Sequence, residues 1–322
     1  MIIGAIDIGG TKLAVGLVNE AGEVLAKREA STGPESTYSA GLESMAIMLR
    51  EMANSARVEI AGIGIGSTGP VDSLTGEFGE LDFLPHWRRQ NPVQDLAKVF
   101  GVTVALENDA DAGALAEAAW GAGRDKSRLI YITVGTGIGG GIILDGKLYR
   151  GVEGAHPELG HQVIDLSGPP CSCGFNGCWE ALAAGPAMST WTQNECQSPA
   201  NDSYRTAEQI CQMARKGDQL ALRAVEREAR YLGLGLANLI NLFTPDIIVL
   251  AGSLMKSAPL FLDGIRATIR SGCRFVPQEK TEIALASLGE DANLIGAARV
   301  WHHRFGRTGS DEKSDPRRIG PS

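Results

Sequence analysis

One histidine and three cysteines lie close together near the middle of the chain. His161 is followed, after nine intervening residues, by Cys171-Ser172-Cys173-Gly174-Phe175-Asn176-Gly177-Cys178-Trp179-Glu180. An imidazole nitrogen and three thiolates are a donor set that zinc takes in closed tetrahedral sites, so His161, Cys171, Cys173 and Cys178 are expected to hold Zn2+. Four protein ligands leave no open position, and three thiolates make the centre net negative. The expected role is therefore structural rather than activation of water. Gly174 and Gly177 permit a tight path between ligands, and the preceding Gly168-Pro169-Pro170 is not core-like. Cys196, Cys211 and Cys273 are isolated and read as packing or surface thiols.

A second set of residues suits phosphate. Asp7-Ile8-Gly9-Gly10-Thr11-Lys12 joins two apolar runs, and Gly135–Gly141 joins Leu129–Val134 to Ile142–Leu144. Glycine turns leave backbone N–H groups bare, and an anion can approach them without meeting a Cβ. Asp7 beside the first turn suits Mg2+ and its waters. Two stretches match G-x-G-x-x-G, at Gly64/Gly66/Gly69 and Gly135/Gly137/Gly140. Neither opens a helix, which excludes a dinucleotide fingerprint, and no P-loop motif is present. The runs around Asp7 and Thr133 share one plan: apolar strand, polar residue, Gly/Thr turn, second strand. That plan predicts a duplicated α/β unit, one copy per domain. Two such turns across a cleft would hold a polyphosphate.

These groups need a frame. Glu107-Asn108-Asp109 falls between a predicted strand at Val102–Leu106 and an alanine-rich helix over Ala110–Ala119. An Asp there is held at a helix N-terminus, which favours its charged form. Helix capping is the other role for Asp109, and Asn108 could take that role and leave Asp109 free. Further strands are expected at Glu23–Arg28, Ile60–Gly66 and Asp246–Ala251. Helices are expected at Leu42–Met52, Val93–Phe100, over most of Glu208–Phe243 and at Ala292–Phe305. Residues 72–91 read as a long loop. The polar tail 306–322 reads as disordered.

Composition agrees with a soluble two-domain protein: 322 residues, 43% hydrophobic and 21% charged. The formal charge of −8 argues against a nucleic-acid or anionic-membrane partner. No run reaches the ~20 apolar residues of a membrane span, and no signal peptide is seen. The expected location is the cytoplasm.

Four motifs together resemble the ROK family of sugar kinases and related repressors, within the actin-like ATPase superfamily. They are Asp7–Lys12, Glu107-Asn108-Asp109-Ala110, Glu158-Leu159-Gly160-His161 and the Cys171/Cys173/Cys178 cluster, and the resemblance spans about residues 2–305. It implies an α/β fold of two actin-like (ribonuclease H-like) domains around a central cleft: 1–108 with about 292–305, and 109–291. It implies an ATP-dependent sugar kinase using Mg2+, with Asp109 as general base. Gly69, Asn108, Asp109, Glu158, His161 and Glu180 would bind the sugar. Asp7, Gly9, Gly10, Thr11 and Lys12 would form one phosphate loop, and Thr133, Gly135, Thr136, Gly137 and Gly139 the other. Gly252 and Ser253 would lie near the adenosine. The expected substrate is a hexose phosphorylated at its 6-hydroxyl, with glucose first. Ser67-Thr68-Gly69 stands where family glucose kinases often carry Pro-Gly, and it resembles N-acetylmannosamine kinases, which is the alternative. A sugar-responsive repressor is the alternative of a different class. It would need a DNA-binding segment ahead of Asp7, for which six residues leave no room. The resemblance also implies a homodimer.

Overall fold

The computed structural model describes residues 1–196 and 202–306, so the tail beyond 306 lies outside the described residues. The chain divides into two compact units, one of 1–115 with 290–306 and one of 116–289.

The first unit is built on β1 (Ile2–Ile8), β2 (Lys12–Asn19), β3 (Val24–Ser31), α1 (Tyr38–Ala56) and β4 (Ile60–Ser67). It continues through β5 (Val71–Asp72), β6 (Glu77–Phe78), α2 (Pro92–Phe100), β7 (Thr103–Asn108) and the start of α3 (Asp109–Trp120). Its sheet order is β3-β2-β1-β4-β7. β1 pairs antiparallel with β2 through the Gly9–Thr11 turn, while β1, β4 and β7 run parallel. The register sets Asp7 against Gly66 and Ser67 against Asn108. Three strands therefore end side by side, and their loops leave from one edge, where ligands of parallel α/β sheets bind.

Both faces of this sheet are buried. Met45, Leu49 and Met52 of α1 pack against Ile6, Ile8, Val15 and Ile63 on one side. The last helix of the chain, α9 (Ala292–Phe305), returns to the other side with Leu294, Ala297 and Trp301. The glycines of β4 serve that return. A Cβ at Gly64 would lie 1.8 Å from the Ala297 carbonyl oxygen, so Gly64 admits a helix backbone, not a phosphate. The segment 72–91, read as loop, contains the β5–β6 hairpin and a short turn carrying Trp87. Trp87 is fully buried, meets Tyr38 edge-on and donates its indole N–H to the Ser36 carbonyl at 2.9 Å. A buried indole with a partner for its one donor orders a stretch that has no periodicity of its own.

The second unit contains β8 (Leu129–Val134), β9 (Ile138–Leu144), β10 (Lys147–Leu148), α4 (Trp179–Ala183), α5 (Gly185–Glu195) and α6 (Ala207–Arg215). It closes with α7 (Gln219–Phe243), β11 (Ile247–Ala251), α8 (Leu262–Gly272) and β12 (Glu282–Leu285). Its sheet order, β10-β9-β8-β11-β12, repeats that of the first unit, so the echo between the two glycine turns is an echo of topology. The second turn is shorter than the glycine run suggests. Only Gly135–Gly137 lie outside strands, and Gly139 sits in the ladder opposite Thr133. Helices α5 and α8 and strand β12 have no counterpart in the sequence reading. α5 starts on Gly-Pro and is rich in Ser, Thr and Asn, which masks its period.

Helix α7 carries one residue against the pattern of its buried face. Glu228 is wholly buried, and neither carboxyl oxygen has a hydrogen-bond partner among the described residues. Burial pushes its carboxyl up to about 8, partly offset by the charge of Arg227, 4.0 Å away. The folded protein therefore holds a proton that the unfolded chain has released above its ordinary carboxylate range. Stability is fully present below about 4.5 and is lost as pH rises towards 8. The loss expected from this group is about 5 kcal/mol, at ~1.4 kcal/mol per unit. Denaturant titrations between pH 5 and 8 should show a slope in the native protein that is reduced in Glu228→Gln. An equal slope in both proteins would remove Glu228 as its source.

Candidate active site

In the first unit, the shared strand edge gathers Asp7, Thr68, Asn108 and Asp109. The Thr68 amide donates to the Ile8 carbonyl at 3.2 Å, which ties the loop after β4 to the end of β1. The Thr68 hydroxyl donates to Asp109 Oδ2 at 3.1 Å. The Ala110 amide donates to Asp109 Oδ1 and to Asn108 Oδ1, both at 2.8 Å. Asn108 does not cap the helix alone, as the sequence reading allowed. The first free amide of α3 is shared, because both side chains can reach it from the strand–helix junction. Asp109 thus carries a donor on each oxygen. Gly69 lies against Asn108: a Cβ there would come 3.2 Å from its Nδ2.

Asp7 accepts a hydrogen bond from Asn293 Nδ2 of α9 at 3.0 Å. Burial pushes its carboxyl up to about 6, the Asn293 bond lowers it, the Asp109 charge raises it and Lys12 lowers it. The turn after β1 is closed by the Gly9 amide donating to the Lys12 carbonyl at 2.9 Å. Thr32 braces it, its hydroxyl donating to the Gly9 carbonyl at 2.9 Å and its amide to the Thr11 carbonyl at 3.1 Å. Gly10 and Thr11 are at the tip. Lys12 pairs with Glu29 at 2.6 Å, an exposed contact of little weight for stability.

In the second unit, Gly135 and Thr136 form one wall of an open cleft of about 550 Å³. Ser253 follows Gly252 at the end of β11 and lies beside Gly135, where a Cβ would come 3.3 Å from the Ser253 hydroxyl oxygen; Lys256, Arg205 and Thr206, just ahead of α6, also line the cleft. Thr133 lies within the sheet, flanked by Gly139 and Ala251, and does not line the cleft. Glu180, in the first turn of α4, accepts a hydrogen bond from the Ile138 amide at 2.8 Å. Glu158 is exposed and precedes the short turn Leu159–His161.

The four expected metal ligands converge. The donor atoms of His161, Cys171, Cys173 and Cys178 all lie within 4.8 Å of one another. His161 Nδ1 is 3.4 Å from Cys171 Sγ, and Cys173 Sγ is 3.4 Å from Cys178 Sγ. Tetrahedral zinc at ~2.3 Å from each sulfur needs sulfurs roughly 3.8 Å apart, so the donor set fits the ion. Backbone bonds shape the knuckle: the Cys171 amide donates to the Phe175 carbonyl at 2.8 Å, and the Gly174 amide to the Cys171 carbonyl at 3.0 Å.

Thr68 and Asn293 are site residues that the motifs did not identify as partners of the carboxylates. Thr68 becomes visible as one only once β4 and β7 are set in register. Asn293 reaches Asp7 from 286 positions away, and no local signal marks it.

The ROK family profile matches residues 3–304. The chain belongs to the ROK family. A glucokinase of Thermotoga maritima is 31% identical over 310 residues, covering 94% of this chain and 97% of that protein. A xylose repressor of Bacillus subtilis is 32% identical over 277 residues, covering 85% of this chain and 69% of the repressor. The crystal structure of a ROK family glucokinase from Streptomyces griseus in complex with glucose and AMPPNP superposes with a TM-score of 0.76. It is 31% identical and covers 92% of this chain and 98% of that one. The two α/β units are thus the actin-like domains of a ROK protein. Within this ROK chain, Asn108 and Asp109 belong to the first unit and Glu158, His161 and Glu180 to the second. No helix among the described residues is long and apolar enough to cross a membrane.

Proposed function

We propose that this ROK protein is an ATP-dependent hexose kinase that phosphorylates the 6-hydroxyl, with glucose as substrate. The observation that carries this reading is Asp109, a carboxylate at the start of α3 braced by the Thr68 hydroxyl and the Ala110 amide. In the reaction, Asp109 takes the proton of the sugar 6-hydroxyl. The freed oxygen forms a bond to the γ-phosphorus, and the bond from that phosphorus to the β,γ-bridging oxygen breaks. ADP leaves with the electron pair, and the proton passes from Asp109 to solvent. Phosphoryl transfer needs placement and charge neutralisation more than covalent help, so one base and well-placed amides suffice.

Gly69, Asn108, Glu158, His161 and Glu180 orient the sugar hydroxyls. The Gly9–Lys12 turn, the Gly135–Gly137 turn and Gly252-Ser253 hold ATP. Asp7 fits Mg2+, because its carboxylate is buried beside the charge of Asp109, a position that a hard cation stabilises. Bound there, Mg2+ would neutralise phosphate charge. His161 and the three cysteines would hold Zn2+ as a crosslink.

A second reading, N-acetylmannosamine as substrate, is favoured by one feature. Thr68 fills the loop beside Asp109 with a hydroxyl in place of the Pro-Gly run of many family glucose kinases. The xylose repressors keep a regulatory role open as a third. ADP release from ATP and Mg2+ with glucose, mannose, N-acetylglucosamine and N-acetylmannosamine separates them. Glucose is expected to give the highest kcat/KM. Turnover led by N-acetylmannosamine would replace the substrate, and silence on every sugar would favour the repressor-like role.

A further inference from the structure

Glu180 is tied to the glycine turn more closely than a residue kept for sugar would need to be. Its Oε2 accepts the Ile138 amide at 2.8 Å, at the point where the turn becomes β9. The packing there is tight: a Cβ at Gly137 would lie 2.3 Å from that same oxygen, so a side chain at 137 would push the carboxylate off the turn. A second bond joins the same two segments. The Gly185 amide, at the start of α5, donates to the Gly135 carbonyl at 2.8 Å. The turn closes on itself with the Gly135 amide donating to the Gly137 carbonyl at 2.9 Å. Residues 135–138 therefore hang from α4 and the start of α5 by two hydrogen bonds, one at each end.

The start of α4, from which Glu180 extends, is itself anchored. Cys178 is its N-cap residue and forms a bridge with Val163, and the Trp179 amide donates to the Gln162 carbonyl at 2.8 Å. Trp179 is fully buried against α7, where Gly235 leaves room for its ring. The carboxylate of Glu180 thus extends from a fixed helix start. Its Oε1 has no hydrogen bond among the described residues and is left for a ligand.

We infer that Glu180 is a positioning residue for the nucleotide: one carboxylate oxygen latches the Gly135–Gly137 turn in the shape that receives phosphate. The inference deepens the proposed kinase reading and rests on that turn being nucleotide-binding. The latch needs only an acceptor at this place. A neutral amide oxygen serves nearly as well as a carboxylate, whereas a methyl group or a shorter side chain does not.

The test compares Glu180→Ala, Glu180→Gln and Glu180→Asp with the native protein. AMPPNP affinity is measured by calorimetry without sugar, and hydrogen exchange is followed at the Ile138 amide. Loss of a hydrogen bond to a charged group corresponds to roughly 10–100-fold in affinity. Glu180→Ala is expected to bind AMPPNP weaker by about that factor and to exchange Ile138 faster. Glu180→Gln is expected to stay within about threefold on affinity and to retain protection. If the alanine variant does not fold, Glu180→Asp replaces it, since its carboxylate is one methylene too short. Unchanged exchange at Ile138 overturns the latch. So does faster exchange with unchanged AMPPNP affinity, the result expected if Glu180 serves the sugar alone. If the native protein itself fails to bind AMPPNP, the nucleotide reading falls, and the exchange data alone decide whether the latch exists.

Discussion

Asp109→Asn is expected to lower kcat by about a thousandfold while sugar affinity changes less than about tenfold. A positioned general base contributes typically 10²–10⁴-fold. The substitution is nearly isosteric. The amide oxygen can still accept from Ala110 or Thr68, so the start of α3 and the loop after β4 should keep their places. What is lost is the ability to take a proton. On the proposed reading Asp109 is one of several sugar-binding side chains, which is why binding should survive. The measurement is steady-state ADP release together with sugar affinity by calorimetry, on the same preparation. Turnover within tenfold of the native rate would remove Asp109 as the base. Loss of sugar binding in step with turnover would recast it as a binding residue.

Stripping the metal is expected to lower the melting temperature by about 10–20 °C. The knuckle from His161 to Cys178 has little apolar content, and its cysteines are bridged by no disulfide. Without an ion its order rests on a few backbone bonds. Structural zinc contributes around 10 kcal/mol or more to folding in small zinc modules. If about 5 kcal/mol of that is felt by this larger unit, a shift of ~2–4 °C per kcal/mol gives the stated range. Cys178 should matter most of the three thiols, because it is buried and opens α4. Calorimetry with and without chelator, alongside elemental analysis of the purified protein, checks the expectation. One zinc per chain with a large shift supports the crosslink. Absence of bound metal, or an unmoved transition, would refute it.

Much of this was legible in one dimension. The cysteine–histidine spacing stated its own chemistry, because few roles suit three thiols and an imidazole at that distance. The two glycine turns announced a repeat, and the repeat is one of strand order. The boundaries of α9 could be read directly, since an apolar period ended in a basic and aromatic turn. Residues 72–91 could not be read, because Trp87 orders them through contacts with Tyr38 and Ser36, outside the segment. The G-x-G-x-x-G beginning at Gly64 is excluded as a dinucleotide motif by the lack of a following helix, and the fold shows what Gly64 is for: it admits the backbone of α9.

The sequence by itself determined the family, the sheet-forming segments and the residue types able to do chemistry. Each of these is local, carried by spacing along the chain. Tertiary structure decided how those groups are held. Parallel register put Thr68 beside Asp109, the return of α9 put Asn293 on Asp7, and the start of α4 put Glu180 on the Ile138 amide. A hydrogen bond joins atoms about 3 Å apart whatever number of residues separates them. No pattern in the chain records such a pair until the fold has closed the distance.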